Sequence, residues 1–345
     1  MTQMRYRLLG RTGVRVSELC LGAMLFGSGA DRDEAARIVR RFADAGGNFL
    51  DTANGYAGGE SERIVGELLR GERDRWVLAS KYGLSTDRAD PNGGGASRKS
   101  LRRAVDASLR RLGTDHIDLY YLHVWDAYTQ VEEVVTALDE LVQAGKILYP
   151  AISDAPAWLV ARAITLAEER DRAPFAALQI PYSLVERTVE PELLRMARAL
   201  DVAVVSWAPL GGGFLTGRYG TDRERPAEGR QAAREQSAHR LAVADALNAV
   251  AAERGATATQ VAIAWLLGRQ DRAQVIPILG IRSDAHLADN LGALDLELTQ
   301  DEVARLDAVS AVPPGFPVHF GGEHLAHGDA FDRVVDHRDR VRPIV

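Results

Sequence analysis

The sequence predicts an α/β fold, a (β/α)8 TIM barrel, on three observations. Short apolar segments recur eight times, amphipathic stretches lie between them, and the segments end at roughly 25- to 40-residue intervals, which is one strand–helix unit each. Strands that are mostly apolar along their whole length imply a parallel sheet buried on both faces. A doubly wound sheet can be written from the same pattern, so the count decides. Eight units in a chain of 345 residues match a closed barrel, whereas an open sheet would usually break the run with a second domain.

The chain opens with two extended stretches, 6–9 and 14–17, joined by Gly10-Arg11-Thr12-Gly13. They read as a β-hairpin ahead of the first barrel strand, placed as a plug over the barrel's bottom. The strands themselves are expected at 18–24, 48–51, 76–80, 117–122, 147–152, 176–180, 202–207 and 275–279. Helices at 33–45, 100–112, 131–144, 157–169, 190–199 and 258–268 are read from apolar residues returning at three- and four-residue spacing. Pro150 lies in the fifth strand, where the missing N–H predicts a local bulge. The reading is of one domain, 1–345, with irregular segments at 210–240 and 312–345 expected over the barrel mouth.

Composition narrows the class. With 46% hydrophobic and 26% charged residues the chain is globular, and 42 basic against 48 acidic residues give a net charge of -6. That balance offers no reason to expect nucleic acid as a partner. The lone Cys20 can form neither an internal disulfide nor a thiolate metal cluster, so no metal is expected and redox chemistry would need a bound cofactor. A reducing, cytoplasmic setting follows. No apolar run approaches the roughly 18 residues that span a bilayer, and Met1-Thr2-Gln3-Met4-Arg5 leads into no signal-peptide core, so no membrane partner is expected. The exposed helices show no heptad seam, which leaves the oligomeric state open.

In a barrel of this kind the active site is built where the strands end. Here those ends are polar: Asp51, Lys81, His123, Ser153 with Asp154, Gln179 and Trp207, with Tyr56 just past Asp51. One charged group buried alone costs several kcal/mol, roughly, whereas several together satisfy one another. Singly, Asp51 reads as well as a helix cap, His123 as a core histidine and Lys81 as a solvated loop residue.

The stretches Asn48-Phe49-Leu50-Asp51-Thr52-Ala53-Asn54-Gly55-Tyr56 with Ser61-Glu62, Leu78-Ala79-Ser80-Lys81-Tyr82-Gly83, Arg111-Leu112-Gly113-Thr114-Asp115-His116-Ile117-Asp118-Leu119 leading to His123, and Trp207-Ala208-Pro209-Leu210-Gly211 closely resemble the aldo-keto reductase superfamily. The branch they look most like is the bacterial one related to potassium-channel β-subunits. The resemblance runs from about residue 5 to about 310 and implies a (β/α)8 barrel, NADPH and reduction of an aldehyde or ketone to an alcohol. Physical chemistry agrees with the four residue types. Hydride arriving at a carbonyl carbon leaves an alkoxide that needs a proton and hydrogen bonds. Tyr56 is the expected donor, and Lys81 beside it is expected to bring the phenol's pKa down. Asp51 would hold Lys81, and His123 would hydrogen-bond the carbonyl oxygen.

Cofactor residues follow from the resemblance by position. Ser153, Asp154 and Gln179 would hold the nicotinamide carboxamide, Asp154 standing where asparagine is commoner, and Trp207 would stack on the ring. Pro209, Leu210 and Gly211 open a loop expected over the pyrophosphate. Gly280 leads into the start of a helix where Arg282 and Ser283 match positions that bind the adenosine 2'-phosphate, His286 stands where a glutamine is more usual, and Asp289 and Asn290 match those at the adenine. No Gly-x-Gly-x-x-Gly follows an early strand, which disfavours a Rossmann site. Substrate is expected against Met24, Phe26, Tyr82 and Trp125, and a small-molecule carbonyl compound is the expected partner. Three alternatives stay open: a reductase of a sugar or secondary-metabolite intermediate, a nicotinamide-binding regulatory subunit, and a barrel isomerase or lyase.

Overall fold

The leading hairpin stands apart from the main sheet. β1 (Tyr6–Leu8) and β2 (Arg15–Ser17) pair antiparallel as a separate two-stranded sheet. The computed structural model describes residues 4–223 and 237–320. In them β3 (Cys20–Gly22), β4 (Phe49–Asp51), β5 (Val77–Tyr82), β6 (Ile117–Leu122), β7 (Ile147–Ser153), β8 (Ala177–Pro181), β9 (Ala203–Trp207) and β10 (Val275–Gly280) run parallel, and β10 closes on β3. The expected (β/α)8 barrel is therefore present. Around it lie α1 (Arg32–Asp44), α2 (Glu60–Leu68), α3 (Arg98–Leu112), α4 (Val131–Gln143), α5 (Ala157–Glu169), α6 (Arg195–Ala199), α7 (Ala238–Arg254), α8 (Ala258–Leu267), α9 (Asp284–Leu291) and α10 (Gln300–Ser310). Hydroxyl caps start several of them: Ser97 for α3, and Thr257 and Thr299 in capping boxes for α8 and α10.

Strand residues alternate between two apolar layers. Cys20, Phe49, Ala79, Leu119, Tyr121, Ala151, Val205 and Ile276 fill the barrel, while Leu50, Leu78, Tyr120, Ile152 and Val204 face the helices. Leu9 and Val16 belong to the inner layer, so the hairpin stoppers the barrel at the end where the strands begin. Its turn fits because Gly10 has no side chain. At φ +53° a Cβ there would lie 2.6 Å from the Ala176 carbonyl oxygen and 2.8 Å from that of Asp201. The Gly10 amide donates to Gln274 Oε1 at 2.8 Å, which pins the turn to the start of β10.

Two local expectations are corrected. No bulge forms at Pro150: β6 and β7 keep one register from Ile117↔Ile147 to Leu122↔Ile152. The β7–β8 pairing begins only at Ala151↔Ala177, so the missing donor falls before the ladder, and the Pro150 carbonyl still accepts from Ala176 at 2.9 Å. The helix expected at 190–199 is split into a π-helical turn, Glu190–Leu194, and the short α6. Of the two irregular segments, 224–236 and 321–345 lie outside the described residues. No helix among the described residues is long and apolar enough to cross a membrane.

α2 is pressed onto the end of α3. A Cβ at Gly66 would lie 2.2 Å from the Leu112 carbonyl oxygen and 2.5 Å from its carbon. Alanine is the better helix former by about 1 kcal/mol, but a clash with backbone cannot relax by a rotamer change and costs about 1–3 kcal/mol. Gly66→Ala is expected to lower the urea midpoint, with a net loss of about 1–2 kcal/mol. An unchanged or higher midpoint would show that the two helices have room to separate.

Candidate active site

The strand ends converge as the barrel requires. Asp51 closes β4, Lys81 is the penultimate residue of β5, and His123 follows the last residue of β6. Ser153 closes β7, Gln179 lies in β8 paired with it, and Trp207 closes β9. Lys81 faces inward because it is in step with Ala79 and Val77 of the barrel lining, and it pairs in register with Tyr121. The chain leaving β4 is stitched to β5 by two backbone bonds, Thr52 N–H to Ala79 O at 2.9 Å and Asn54 N–H to Lys81 O at 3.1 Å. After Tyr56 it turns through Ala57, Gly58 and Gly59, all at positive φ, directly into α2. Ala57 at φ +48° is strained for a residue with a Cβ.

The Lys81 ammonium is fully buried. It donates to Asp51 Oδ1, to the Thr52 carbonyl at 2.9 Å and to the Tyr56 hydroxyl at 3.1 Å. Asp51's other oxygen accepts from Gln179 Nε2 at 2.9 Å. His123 meets Tyr56 edge to face, ring centroids 5.8 Å apart at 82°. The four expected residues are thus assembled, and Gln179 joins them as a partner of Asp51, a contact no sequence signal announced.

Burial and charge set the protonation states. Burial works against the Lys81 ammonium, but Asp51 and Tyr56 outweigh it and hold its pKa above the usual lysine range. For Tyr56 the balance runs the other way. Burial pushes the phenol up, Lys81 opposes this, and the charges of Asp51 and Asp154 add to the rise, so the expected lowering by Lys81 is overridden. Burial, reinforced by Lys81, drops His123 to about 3, which makes the imidazole neutral at physiological pH. Its Nδ1 is buried with no hydrogen-bond partner among the described residues.

Trp207 is 38% exposed, so it is not a core aromatic, and its Nε1–H donates to Asp154 Oδ1 at 3.1 Å. Asp154 adopts φ +45°, a conformation that Asp and Asn tolerate better than most residues. Pro209 is buried behind Trp207, and Leu210 and Gly211 begin a tight turn with Gly211, Gly212 and Gly213 all at positive φ. Gly280 ends β10 exposed, and Arg282 and His286 are exposed beside the start of α9. Ser283 caps α9, accepting from the His286 amide at 3.3 Å. The Asp284 amide is already taken by Glu34 Oε1 at 2.5 Å.

Some expected residues are placed elsewhere. Phe26 and Tyr82 are fully buried in the layer between barrel and helices, where Tyr82 stacks on Tyr120 at 5.5 Å. Neither lines the mouth: Tyr82 follows the inward Lys81 and so must face outward. Trp125 is half-buried against that same layer, and Met24 is exposed after β3. Asp289 directs Oδ1 to Thr257 Oγ1 at 2.8 Å and Gln260 Nε2 at 3.1 Å, tying α9 to α8, and Asn290 is buried. Sequence reasoning also missed a layer of support behind Lys81. The fully buried Glu62 of α2 accepts from Ser80 Oγ at 2.6 Å and from Arg111 Nε at 2.6 Å. Ser61 bonds Thr52 Oγ1 at 2.8 Å and the Ala23 carbonyl at 2.7 Å. The Ser61-Glu62 pair was visible in the sequence, but nothing local said what it would touch. Among the described residues no group of acidic, histidine and cysteine side chains could hold a metal ion.

Residues 18–311 match the profile of the Aldo/keto reductase family. The chain belongs to the aldo/keto reductase family. This aldo/keto reductase is 37% identical over 330 residues to a norsolorinic acid reductase of Aspergillus flavus, covering 91% of this chain and 83% of that one. It is 39% identical over 339 residues to the aldo-keto reductase ausK of Emericella nidulans, covering 92% and 84%. An aryl-alcohol dehydrogenase of Pestalotiopsis microspora is 36% identical over 334 residues, covering 92% and 85%. These relatives are fungal enzymes, so they support the superfamily and give no support to the bacterial channel-subunit branch.

A depressed histidine pKa has a defined sign. The folded imidazole stays neutral down to about 3 while the unfolded one protonates near 6.5. The unfolded chain therefore binds the extra proton, and stability falls as pH drops from about 6.5 towards about 3, with no effect above. His123→Gln is expected to remove that part of the acid destabilisation, read as a shrinking difference between variant and wild-type unfolding free energies from pH 7 to pH 4. A difference that does not change with pH would mean that His123 titrates normally.

Proposed function

We propose that this aldo/keto reductase reduces an aldehyde or ketone to an alcohol with NADPH, and that Tyr56 is the general acid. The observation that carries the reading is the hydrogen bond from a fully buried, Asp51-held Lys81 to the Tyr56 hydroxyl at the strand ends. The residues present fit a nicotinamide dinucleotide. Trp207 offers an exposed ring steadied by Asp154, beside Ser153 and Gln179. At the start of α9 the Ser283 and Ala285 amides make no hydrogen bond and Arg282 makes no ion pair among the described residues, which suits a phosphate and favours NADPH over NADH. Pro209, Leu210, Gly211 and Gly280 flank this path, and His286 stands beside it.

When bound, the reduced nicotinamide supplies the hydride. The protein's part is to hold the carbonyl oxygen against Tyr56 and His123 and to deliver a proton to it. The Tyr56 hydroxyl, protonated by virtue of its raised pKa, donates to the forming alkoxide; Lys81 then stabilises the phenolate left behind. Asp51 and Gln179 keep Lys81 in place throughout. His123, neutral and with Nδ1 buried, presents Nε2 to the substrate oxygen. The exposed Met24 and half-buried Trp125 suit an apolar substrate body. Relatives named norsolorinic acid reductase and aryl-alcohol dehydrogenase favour an aryl carbonyl or a secondary-metabolite intermediate over a sugar. The lone, buried Cys20 supports a reducing, cytoplasmic setting.

The test follows NADPH oxidation over a panel of aryl and aliphatic carbonyls. Tyr56→Phe is expected to cut turnover at least about 100-fold while NADPH binding persists. Wild type that binds NADPH and reduces nothing on the panel would move the reading to a cofactor-binding subunit. A second experiment separates charge from contact at Asp154. Asp154→Asn keeps an acceptor for Trp207 and removes a charge that pushes Tyr56 upward, so the Tyr56 limb of the pH–rate profile should move to lower pH with tryptophan emission unchanged. Asp154→Ala should change the emission as well. A stationary limb in both variants would show that Asp154 does not act on Tyr56.

A further inference from the structure

On the outer surface, away from the strand ends, α2 and α3 enclose a groove of about 460 Å³ lined by Arg63, Gly66, Glu67, Arg70, Arg110 and Arg111. The sequence builds it. Gly66 lets α2 close onto the end of α3, Arg63 and Glu67 follow one another along one face of α2 at helical spacing, and Arg70 stands in the turn that leaves it. The charges there do not cancel. Arg111 is held by the buried Glu62 at 2.6 Å, Arg63 by Glu60 at 3.2 Å, and Glu67 by Arg32 at 2.6 Å. Arg70 and Arg110 make no ion pair and no side-chain hydrogen bond among the described residues, not even to the helix-end carbonyls beside them. Both side chains are exposed, so their guanidinium donors face solvent and stand open to an anion.

We propose that this groove is a second ligand site, which takes a phosphate dianion, free or as the monoester of a small metabolite. Two unpaired guanidiniums match a charge of −2, and their planar donor pairs match phosphate oxygens. The volume lies within the range of small-molecule sites. Arg111 gives the groove a rigid wall, since Glu62 fixes it from behind. The same Glu62 accepts from Ser80, the neighbour of Lys81 on β5, so a ligand on Arg111 lies one bonded chain away from the strand that carries the catalytic lysine.

The test is calorimetric titration of the full chain with inorganic phosphate and, separately, with glycerol 3-phosphate, at constant ionic strength against chloride. Wild type is compared with the double variant Arg70→Gln/Arg110→Gln, whose thermal midpoint should be unchanged because neither side chain has a partner to lose. Affinity is expected to fall at least about tenfold in the double variant, since each charge-assisted bond lost is worth about that much. Hydrogen exchange should show protection by the ligand in 60–70 and 107–113. Binding of both probes identifies a monoester site, and binding of phosphate alone identifies free phosphate. Binding that is equal in the two proteins, or protection confined to residues 280–291, would place the anion at α9 and overturn the proposal. No binding by wild type would overturn it too.

Discussion

The arrangement depends on one buried ion pair. A lysine ammonium with no exposure, at the end of a barrel strand, is tolerable only because Asp51, the Thr52 carbonyl and the Tyr56 hydroxyl take its three protons. That requirement fixes much else. Asp51 must sit across β4 from β5 in register, the loop after β4 must double back so that Thr52 and Tyr56 both reach Nζ, and a carboxylate that gives one oxygen to lysine needs a donor for the other. Gln179, arriving from the opposite side of the barrel, supplies it. A closed barrel brings β4, β5 and β8 to one point, which an open sheet with those strands far apart could not do.

Much of this was legible in the chain and some was not. The strand count, the hairpin and the polar strand ends could be read because each rests on local periodicity or on a residue type at a boundary. Facing was harder: Tyr82 beside Lys81 looked like a second mouth residue, yet the period of two in a strand sends it to the opposite side. Contacts across long separations were legible only where the family resemblance implied them, as for Asp51 with Lys81. Asp154 to Trp207 spans 53 residues and Gln179 to Asp51 spans 128, and neither partner carries a mark of the other. The sign of the Tyr56 shift was misjudged for a related reason, since the family resemblance implies a neighbouring lysine but not how deeply the phenol is buried. Pro150 shows the converse. A rule about missing donors was sound, but the place where β8 begins to pair decided that the donor was never needed.

α2 links these observations. It receives the chain from Tyr56 through three residues at positive φ, lays Ser61 against Thr52 and Glu62 against Ser80, and packs through Gly66 on α3. The residues that set the phenol's approach and those that hold the lysine's strand are thus braced by successive positions of one short helix. Such shared bracing leaves little freedom for the two to move independently.

The stopper of Leu9 and Val16 completes an apolar layer that fills the barrel and backs the charged pair from below. Among the described residues, the Lys81–Asp51 pair lies buried between that packed layer and Tyr56, on the side of the strand ends. Whatever seats itself over Tyr56 therefore seals the charges below it from solvent, and the dielectric around them becomes a property of the occupant as much as of the protein.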